Sequence, residues 1–333
     1  MLLIFDPIYI LLASLGYLVM LILASSVAPK VASRVSGRFS LFASMAILAL
    51  LIIGISSATI YAVLYVAGVS VSLASLVAFL LIVNLLIYLI SPYMINLSFS
   101  AKRSDELQMI VNEVAYQLGV KPPKAVVVRS PPNAFAYGNF LTGKFVAVSD
   151  SLLRMLDRDE LKAVIGHEIG HHKHRDNAVM LLFGLLPSII FYLGYALIHE
   201  GLRDRRGQQL ALLGFAAVLI SFVVQILVLA FSRLREYYAD FEGVVAAGKD
   251  AMQRSLAKIH LTYARYPQLY DAVADSKFRT LFIYALVNAA ANPLTRADIE
   301  RLKNMKVSPL QEFLSTHPPI PKRLRFIESI TFR

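Results

Sequence analysis

The chain has 333 residues, of which 57% are hydrophobic and only 17% are charged. Soluble domains usually carry about 25% charged residues, so the composition argues against an ordinary soluble enzyme. The net charge of +11 would suggest nucleic-acid binding on a soluble protein, but basic cytoplasmic loops explain it on a membrane protein. The sequence contains no cysteine, which excludes disulfides, cysteine-bound zinc and thiol catalysis.

Four stretches of the chain lack charged residues and histidine: 7–29, 39–101, 178–198 and 207–232. About 20 apolar residues span a bilayer as a helix, and the second stretch is long enough for two spans with a hinge near Gly68. The sequence therefore predicts five transmembrane helices, near 7–28, 42–66, 72–95, 178–198 and 209–231. The alternative for the last two is a pair of buried core helices.

Positive charges near the ends of these spans are distributed unequally. One side of the membrane would hold Lys30, Arg34, Arg38, Lys102, Arg103, Lys173, Arg175, Arg233 and Arg235, and the other Arg203, Arg205 and Arg206. The positive-inside rule places the richer side in the cytoplasm. We therefore expect a multi-pass protein of the cell membrane whose segments 97–177 and 233–333 are cytoplasmic. The basic turn at 203–206 does not fit this distribution, so a shallower hairpin remains an alternative for the last two spans.

The first long polar segment has the pattern of a small mixed domain. Asp105–Leu118 has helical periodicity and is followed by Gly119, which is typical of a helix C-terminus. Lys124–Arg129 and Lys144–Ser149 are rich in β-branched residues and predict strands, and Asn133–Tyr137 predicts an extended segment between them.

A helix that follows this sheet carries an HExxH motif. Asp157 and Glu160 form a capping-box pattern at its start. The i, i+4 spacing puts His167 and His171 on one face, where both imidazoles can bind one zinc ion. Glu168 lies beside them and is expected to take a proton from a zinc-bound water as general base.

A catalytic zinc needs a third protein ligand. His172 points away from His171, and His174 is too far along the helix from His167, so we expect both to be solvated or to lie in the outer shell. Glu236 is the better candidate, because it emerges from the fifth span on the same side as the HExxH helix. Asp240, one turn later, could orient a ligating imidazole. The alternative for this segment is a juxtamembrane helix with snorkelling arginines.

The sequences HEIGHH, SRLREYYAD and STHPP, with two hydrophobic segments after the first, resemble the HtpX family of membrane zinc metallopeptidases, relatives of the CaaX prenyl-protein endopeptidases. The resemblance covers about 103–325. It implies one zinc per chain bound by His167, His171 and Glu236, with Glu168 as base and an active site facing the cytoplasm. The bacterial proteins resembled usually show two spans before the catalytic segment, whereas three are predicted here.

The same resemblance implies two further sites. Asn133, Ala134 and Phe135 would lie on the edge strand that binds the substrate backbone. His317 would lie near the catalytic centre and stabilise the oxyanion, or it is a loop histidine fixed by two prolines. Arg233 matches an arginine of the family pattern, but the residues do not indicate its role.

Two other motifs have less specific readings. Residues 138–145 nearly spell a phosphate-binding loop, but Phe145 stands where serine or threonine is required and begins a strand, so the segment predicts a hairpin and no nucleotide site. The basic run Lys322–Arg325 could contact anionic headgroups or be a solvated helix face.

The sequence thus predicts a mainly α integral membrane protein with a cytoplasmic zincin-like domain that contains a small β-sheet. Its parts would be a membrane region at 1–100, the first catalytic part at 101–177, a membrane hairpin at 178–232 and the second catalytic part at 233–333. The predicted function is zinc-dependent cleavage of unfolded or damaged membrane proteins in quality control, in contact with the bilayer and without nucleic acid or nucleotide. The alternatives are a CaaX-type processing peptidase and a catalytically inactive membrane scaffold or transporter.

Overall fold

The computed structural model describes residues 71–203, 207–265, 295–307 and 317–331, together with the single positions 52, 55, 56 and 59. Except for those four positions, the first two predicted spans, 7–28 and 42–66, lie outside the described residues.

The described chain is mostly helical and includes one small sheet. The helices are α1 (Val71–Ser98), α2 (Asp105–Gln117), α3 (Asp150–Met155), α4 (Arg158–Lys173), α5 (Asp176–Arg203), α6 (Gln208–Arg265), α7 (Arg296–Asn304) and α8 (Ile320–Ser329). The strands are β1 (Lys102–Arg103), β2 (Lys124–Val128), β3 (Ala134–Asn139) and β4 (Gly143–Ser149). The predicted helix at 105–118 and the predicted extended segments near 124, 133 and 144 correspond to α2, β2, β3 and β4.

The four strands form one mixed sheet in the order β1-β2-β4-β3. β2 and β4 run parallel, whereas β3 is antiparallel to β4 and β1 is antiparallel to β2. Strand β3 therefore forms one edge of this sheet, on the side that faces α4.

The backbone of β3 offers hydrogen-bonding groups on its free side. Ser149 N donates to Asn133 O at 2.7 Å, which identifies a hydrogen-bonded pair at the start of the ladder. Hydrogen-bonded and non-hydrogen-bonded pairs alternate in an antiparallel ladder. The N–H and C=O groups of Ala134, Ala136 and Gly138 consequently point away from β4.

Helix α4 is fixed at its start and buried along much of its length. The side chain of Asp157 accepts the backbone N–H of Glu160, and Glu160 accepts the backbone N–H of Asp157, so the predicted capping box is present. The buried Glu160 carboxylate also binds Lys258 and accepts Arg254 Nε at 3.1 Å, both from α6. This helix thus connects the sheet to α6.

Two helices are long and apolar enough to cross a membrane, within the part of the chain that the structure describes: Asp176–Leu202 and Gln208–Thr262. They contain the fourth and fifth predicted spans. The third predicted span, 72–95, lies within α1, which is a single helix of 28 residues.

Helix α6 extends far beyond its predicted membrane span, which ends at 231. Its helical path continues through the charged segment that contains Glu236 and Asp240, and it is interrupted at Gly248, where φ is 86°. The HExxH helix α4 packs against this extension. The two polar parts of the chain are therefore joined along one helix pair.

Candidate active site

Three possible metal ligands converge between α4 and α6. His167 and His171 lie one turn apart on α4, and their Nε2 atoms are 3.2 Å from each other. Glu236 on α6 places Oε2 at 3.7 Å from His167 Nε2 and Oε1 at 3.7 Å from His171 Nε2. A donor atom from each of the three lies within 4.8 Å of the other two.

These separations fit a tetrahedral zinc ion. Zinc binds imidazole nitrogen and carboxylate oxygen at about 2.0–2.2 Å, so two ligands at a tetrahedral angle are about 3.3–3.6 Å apart. The chemistry of the donors also fits, because two histidines and one glutamate are a common set in catalytic zinc sites that keep a fourth position open. The residues present therefore suit the metal that the HExxH motif predicts.

A carboxylate holds the second ring nitrogen of each histidine. Asp240 Oδ1 lies 3.0 Å from Nδ1 of His167, and Asp176 Oδ2 lies 2.6 Å from Nδ1 of His171. A carboxylate at Nδ1 fixes the proton on that nitrogen, which leaves Nε2 as the electron-pair donor. The geometry thus aims both Nε2 atoms at one point.

Each of these carboxylates is in turn bound by a buried arginine. Arg323 from α8 donates through Nε to Asp240 Oδ2 at 2.8 Å and through Nη2 to Oδ1. Arg235 from α6 lies 2.8 Å from Asp176 through its Nε atom. Arg323 is only 2% exposed, so for this residue the basic run 322–325 is neither a solvated face nor a headgroup contact.

Sequence reasoning did not identify Asp176 or Arg323 as site residues. Asp176 is the first residue of α5 and follows a turn in which Arg175 has a positive φ of 56°. An acidic residue five positions after the HExxH motif was the available signal. For Arg323, the available signal was the apolar periodicity of α8, whose buried face includes this arginine.

Glu168 lies beside the ligands and is 1% exposed. Burial raises the pKa of its carboxyl group, although the nearby His167, His171 and the backbone N–H of Ala136 act in the opposite direction. Its Oε1 atom has no hydrogen-bond partner among the described residues. An acceptor oxygen is thus available next to the metal ligands.

His317 also reaches this site. Its Nδ1 atom lies 3.0 Å from Glu236 Oε2, and its side chain is 15% exposed. The resemblance placed this histidine near the catalytic centre, and the structure brings it against the candidate glutamate ligand.

A cavity of about 400 Å³ opens onto these groups. Its lining includes Glu168, His171, Glu236 and His317, together with β3 residues Ala136–Gly138. Helices α1 and α5 form the remaining wall, through apolar residues such as Ile87, Ile95, Met180 and Leu181. The cavity thus has titratable groups on one side and the apolar side chains of α1 and α5 on the other.

The segment Asn133–Phe135 lies at the start of the edge strand but does not line this cavity. Ala134 packs into the core beneath α4, and the Phe135 ring lies tilted against the rings of Tyr137 and Phe99, with centroids 5.5 Å apart in each pair. The buried side-chain amide of Asn133 has no hydrogen-bond partner in the described part of the chain. The part of β3 that faces the site is the following segment, Ala136–Gly138.

His172 and His174 do not join the ligand cluster. His172 is buried rather than solvated, and its Nε2 lies 2.8 Å from the carbonyl oxygen of Phe145; burial lowers its pKa to about 4. His174 lies 3.3 Å from Glu242 and packs edge-on against the ring of Tyr238. Both histidines therefore connect α4 to its neighbours.

The chain matches known proteins over most of its length. The model of peptidase family M48 matches residues 101–331. A protease HtpX homolog from Archaeoglobus fulgidus is 74% identical over 331 residues, which cover 99% of each chain. Another from Pyrobaculum calidifontis is 55% identical and covers 98% of each chain.

A solved structure shows the same fold at low sequence identity. The crystal structure of S. mikatae Ste24p matches with a TM-score of 0.53 and 21% identity, covering 88% of this chain and 68% of that one. The family match, the relatives and the apolar helices agree with one another. The chain belongs to peptidase family M48 and is a membrane metallopeptidase of the HtpX family.

Proposed function

We propose that this metallopeptidase is a zinc-dependent endopeptidase that cleaves unfolded or damaged membrane proteins at the cytoplasmic face of the cell membrane. The observation that carries the proposal is the triangle formed by His167, His171 and Glu236, with Glu168 beside it in the same cavity. A zinc ion held there would lower the pKa of a bound water and polarise the peptide carbonyl group.

The protein groups around this centre have distinct roles in the proposal. Glu168 accepts a proton from the attacking water and later donates it to the leaving amine. Its burial favours this double role, because a raised pKa brings the carboxyl group closer to the protonated form it must adopt after the first step. Asp240 and Asp176 hold the two imidazoles so that their Nε2 atoms stay directed toward the metal position.

The substrate would bind in extended conformation along β3. The outward C=O group of Ala136 and the N–H and C=O groups of Gly138 lie at the cavity and can extend the sheet by one strand, as in other strand-addition complexes. The outward N–H of Ala136 itself donates to Glu168. His317, at the same cavity, would donate an N–H to the oxygen on which negative charge develops.

The assignment to quality control rests on the resemblance to the HtpX family. The similar proteins carry the name protease HtpX homolog and not that of a prenyl-protein peptidase, so this role is proposed ahead of prenyl-protein processing. The likeness to Ste24p is one of fold. A prenylated CaaX peptide that is cleaved faster than unfolded protein would instead favour the processing role.

The proposal is tested with Glu168→Gln in the full-length, zinc-loaded protein. Glutamine keeps the size of the side chain but cannot accept and carry the proton. We expect zinc content equal to the wild type and a loss of casein cleavage of about 10²-fold or more. Zinc is measured by elemental analysis and cleavage by the release of labelled peptides.

Glu236→Ala is the contrasting variant. It removes one ligand and should lower bound zinc, whereas Glu168→Gln should not. Full casein cleavage by Glu168→Gln would contradict the general-base role, and unchanged zinc in Glu236→Ala would contradict the third ligand.

A further inference from the structure

The turn between β3 and β4 exposes two large apolar side chains. β3 ends at Asn139 and β4 begins at Gly143. Between them, Phe140 is 75% exposed and Leu141 is 64% exposed. Hairpin turns normally carry polar residues, and single apolar residues on a surface need no explanation. An adjacent phenylalanine and leucine at the tip of a hairpin, in contrast, require one.

This tip is fixed against α1, one of the apolar helices. Nδ2 of Asn139, the residue directly before Phe140, donates to the carbonyl oxygens of Tyr88 at 2.9 Å and Leu89 at 3.0 Å. Pro92 lies within α1 and lacks the N–H that would otherwise bind the carbonyl of Tyr88. Asn139 therefore occupies an acceptor that the proline leaves open, so the hairpin has a defined position along the helix.

The position along α1 corresponds to the apolar part of that helix. Leu89 precedes residue 95, the end of the predicted span, by six residues, or about 9 Å at 1.5 Å per residue. The surface of α1 around this level is apolar and exposed, through Leu85, Leu86, Ile90, Tyr93, Met94 and Leu97. This helix has 28 residues and no charged side chain, and its exposed face is apolar, so it is suited to contact with lipid.

Three polar backbone groups of the turn have partners within the protein. Oδ1 of Asn139 accepts the backbone N–H groups of Leu141 and Thr142, each at 3.0 Å. Nζ of Lys124 donates to the carbonyl of Thr142 at 3.1 Å. Each such contact lowers the cost of moving the turn from water toward lipid.

Two lysines lie beside the turn. Lys124 of β2 donates to the turn itself, and Nζ of Lys144 donates to the carbonyl oxygen of His172 at 2.8 Å. Both residues are exposed, and lysine side chains can lie along an apolar surface while their ammonium groups stay in a polar environment.

We propose that the Phe140–Leu141 tip is inserted into the interfacial layer of the lipid bilayer. The occupant of this surface is lipid, because the apolar tip is anchored beside the exposed apolar face of α1 and three of its backbone groups are bonded within the protein. The tip directly follows β3, whose residues Ala136–Gly138 line the catalytic cavity. The bilayer surface thus sets the height of the substrate-binding edge.

The absence of tryptophan from the sequence allows a direct test. Phe140→Trp is introduced into the full-length protein, which is reconstituted in phosphatidylcholine vesicles with or without brominated acyl chains. We expect emission shifted to shorter wavelength than that of an aqueous tryptophan, and loss of fluorescence in the brominated vesicles. Leu141→Trp is the second variant, should Phe140→Trp fail to fold.

Two control variants give the emission and quenching expected of a tryptophan in water and of one in lipid. Tyr116→Trp, at an 87% exposed position on α2, reports water, and Leu86→Trp, on the exposed face of α1, reports lipid. Emission and quenching at the tip like those of Leu86→Trp support insertion. Unquenched fluorescence at the wavelength of Tyr116→Trp overturns the proposal, as does a short-wavelength, unquenched signal, which would mean that protein covers the tip.

Discussion

Each histidine of the HExxH motif is positioned by a carboxylate from another helix. His167 is held by Asp240 of α6, and His171 is held by Asp176 of α5. A free imidazole rotates about its side-chain bonds, whereas these two contacts restrict both rings to orientations in which Nε2 faces the other ligands. We therefore expect the affinity for zinc to depend on residues that do not touch the metal.

Asp176→Asn should weaken zinc binding without removing a ligand. Asparagine has almost the same shape but no negative charge, so its hold on Nδ1 of His171 is weaker. Loss of such an outer partner typically lowers metal affinity by about 10- to 100-fold, and we expect an effect of this size. Competition with a chelator of known affinity measures it.

The control for this variant is Asp250→Asn, which makes the same chemical change at an exposed ion pair of α6 with Arg254. It should leave zinc affinity unchanged. Equal zinc affinity for Asp176→Asn and the wild type would show that the contact to His171 does not position the ring.

For individual residues, the sequence predicted contacts between nearby positions of the chain better than contacts between distant segments. The HExxH spacing alone placed His167 and His171 on one face, because helix geometry determines it. The contact of Arg323 with Asp240 joins positions 83 residues apart, and no local pattern encodes it. In the sequence, Arg323 is one member of a basic run, and its contact with Asp240 depends on the packing of α8 against the site.

Between elements, the site depends on how closely α4 approaches α6. A Cβ atom at Gly166 would lie 2.5 Å from Cβ of Ala246 and 3.1 Å from the carbonyl oxygen of Glu242. Such distances are too short for a methyl group, so one helix would have to move. His167 is the next residue, and its partners Glu236 and Asp240 are on the helix that would be displaced.

Gly166→Ala should therefore lower both stability and zinc content. Overpacking of a close helix contact typically costs about 1–3 kcal/mol. Gly184→Ala on α5 is the matched control, since a Cβ there meets no atom of the described residues within 4 Å. Its midpoint of thermal unfolding should not fall, because alanine favours helix by about 1 kcal/mol. Equal midpoints for the two variants would contradict the role of this packing.

The elements show where a local pattern defines a boundary and where it does not. The start of α4 was predictable because Asp157 and Glu160 satisfy its first N–H groups. The length of α6 was not, because the charge that ends a membrane span at Arg233 does not end a helix. The helical path is interrupted only at Gly248, which has a positive φ, and α6 ends at Arg265. The pairing of β3 at the sheet edge likewise depends on contacts between segments.

Over the whole molecule, the membrane helices and the site constrain each other. Helix α4 precedes α5, and the site-forming part of α6 follows the predicted span, so two crossings would return the chain to the side from which it left. This agrees with the packing of α4 against α6 in one site. The helix pair does not determine which side of the membrane that is, and here the charge distribution is the only guide.

The positive-inside rule predicts that the site is cytoplasmic, and the absence of cysteine makes this testable at single positions. Tyr116→Cys on α2 and Leu202→Cys near the end of α5 each introduce one thiol at an exposed residue. In intact cells, a membrane-impermeant maleimide should label Leu202→Cys and spare Tyr116→Cys until the membrane is permeabilised, because the two residues lie on opposite sides. Labelling of Tyr116→Cys alone in intact cells would reverse the orientation. Labelling of neither before permeabilisation would favour the shallower hairpin, since both residues would then lie on the cytoplasmic side.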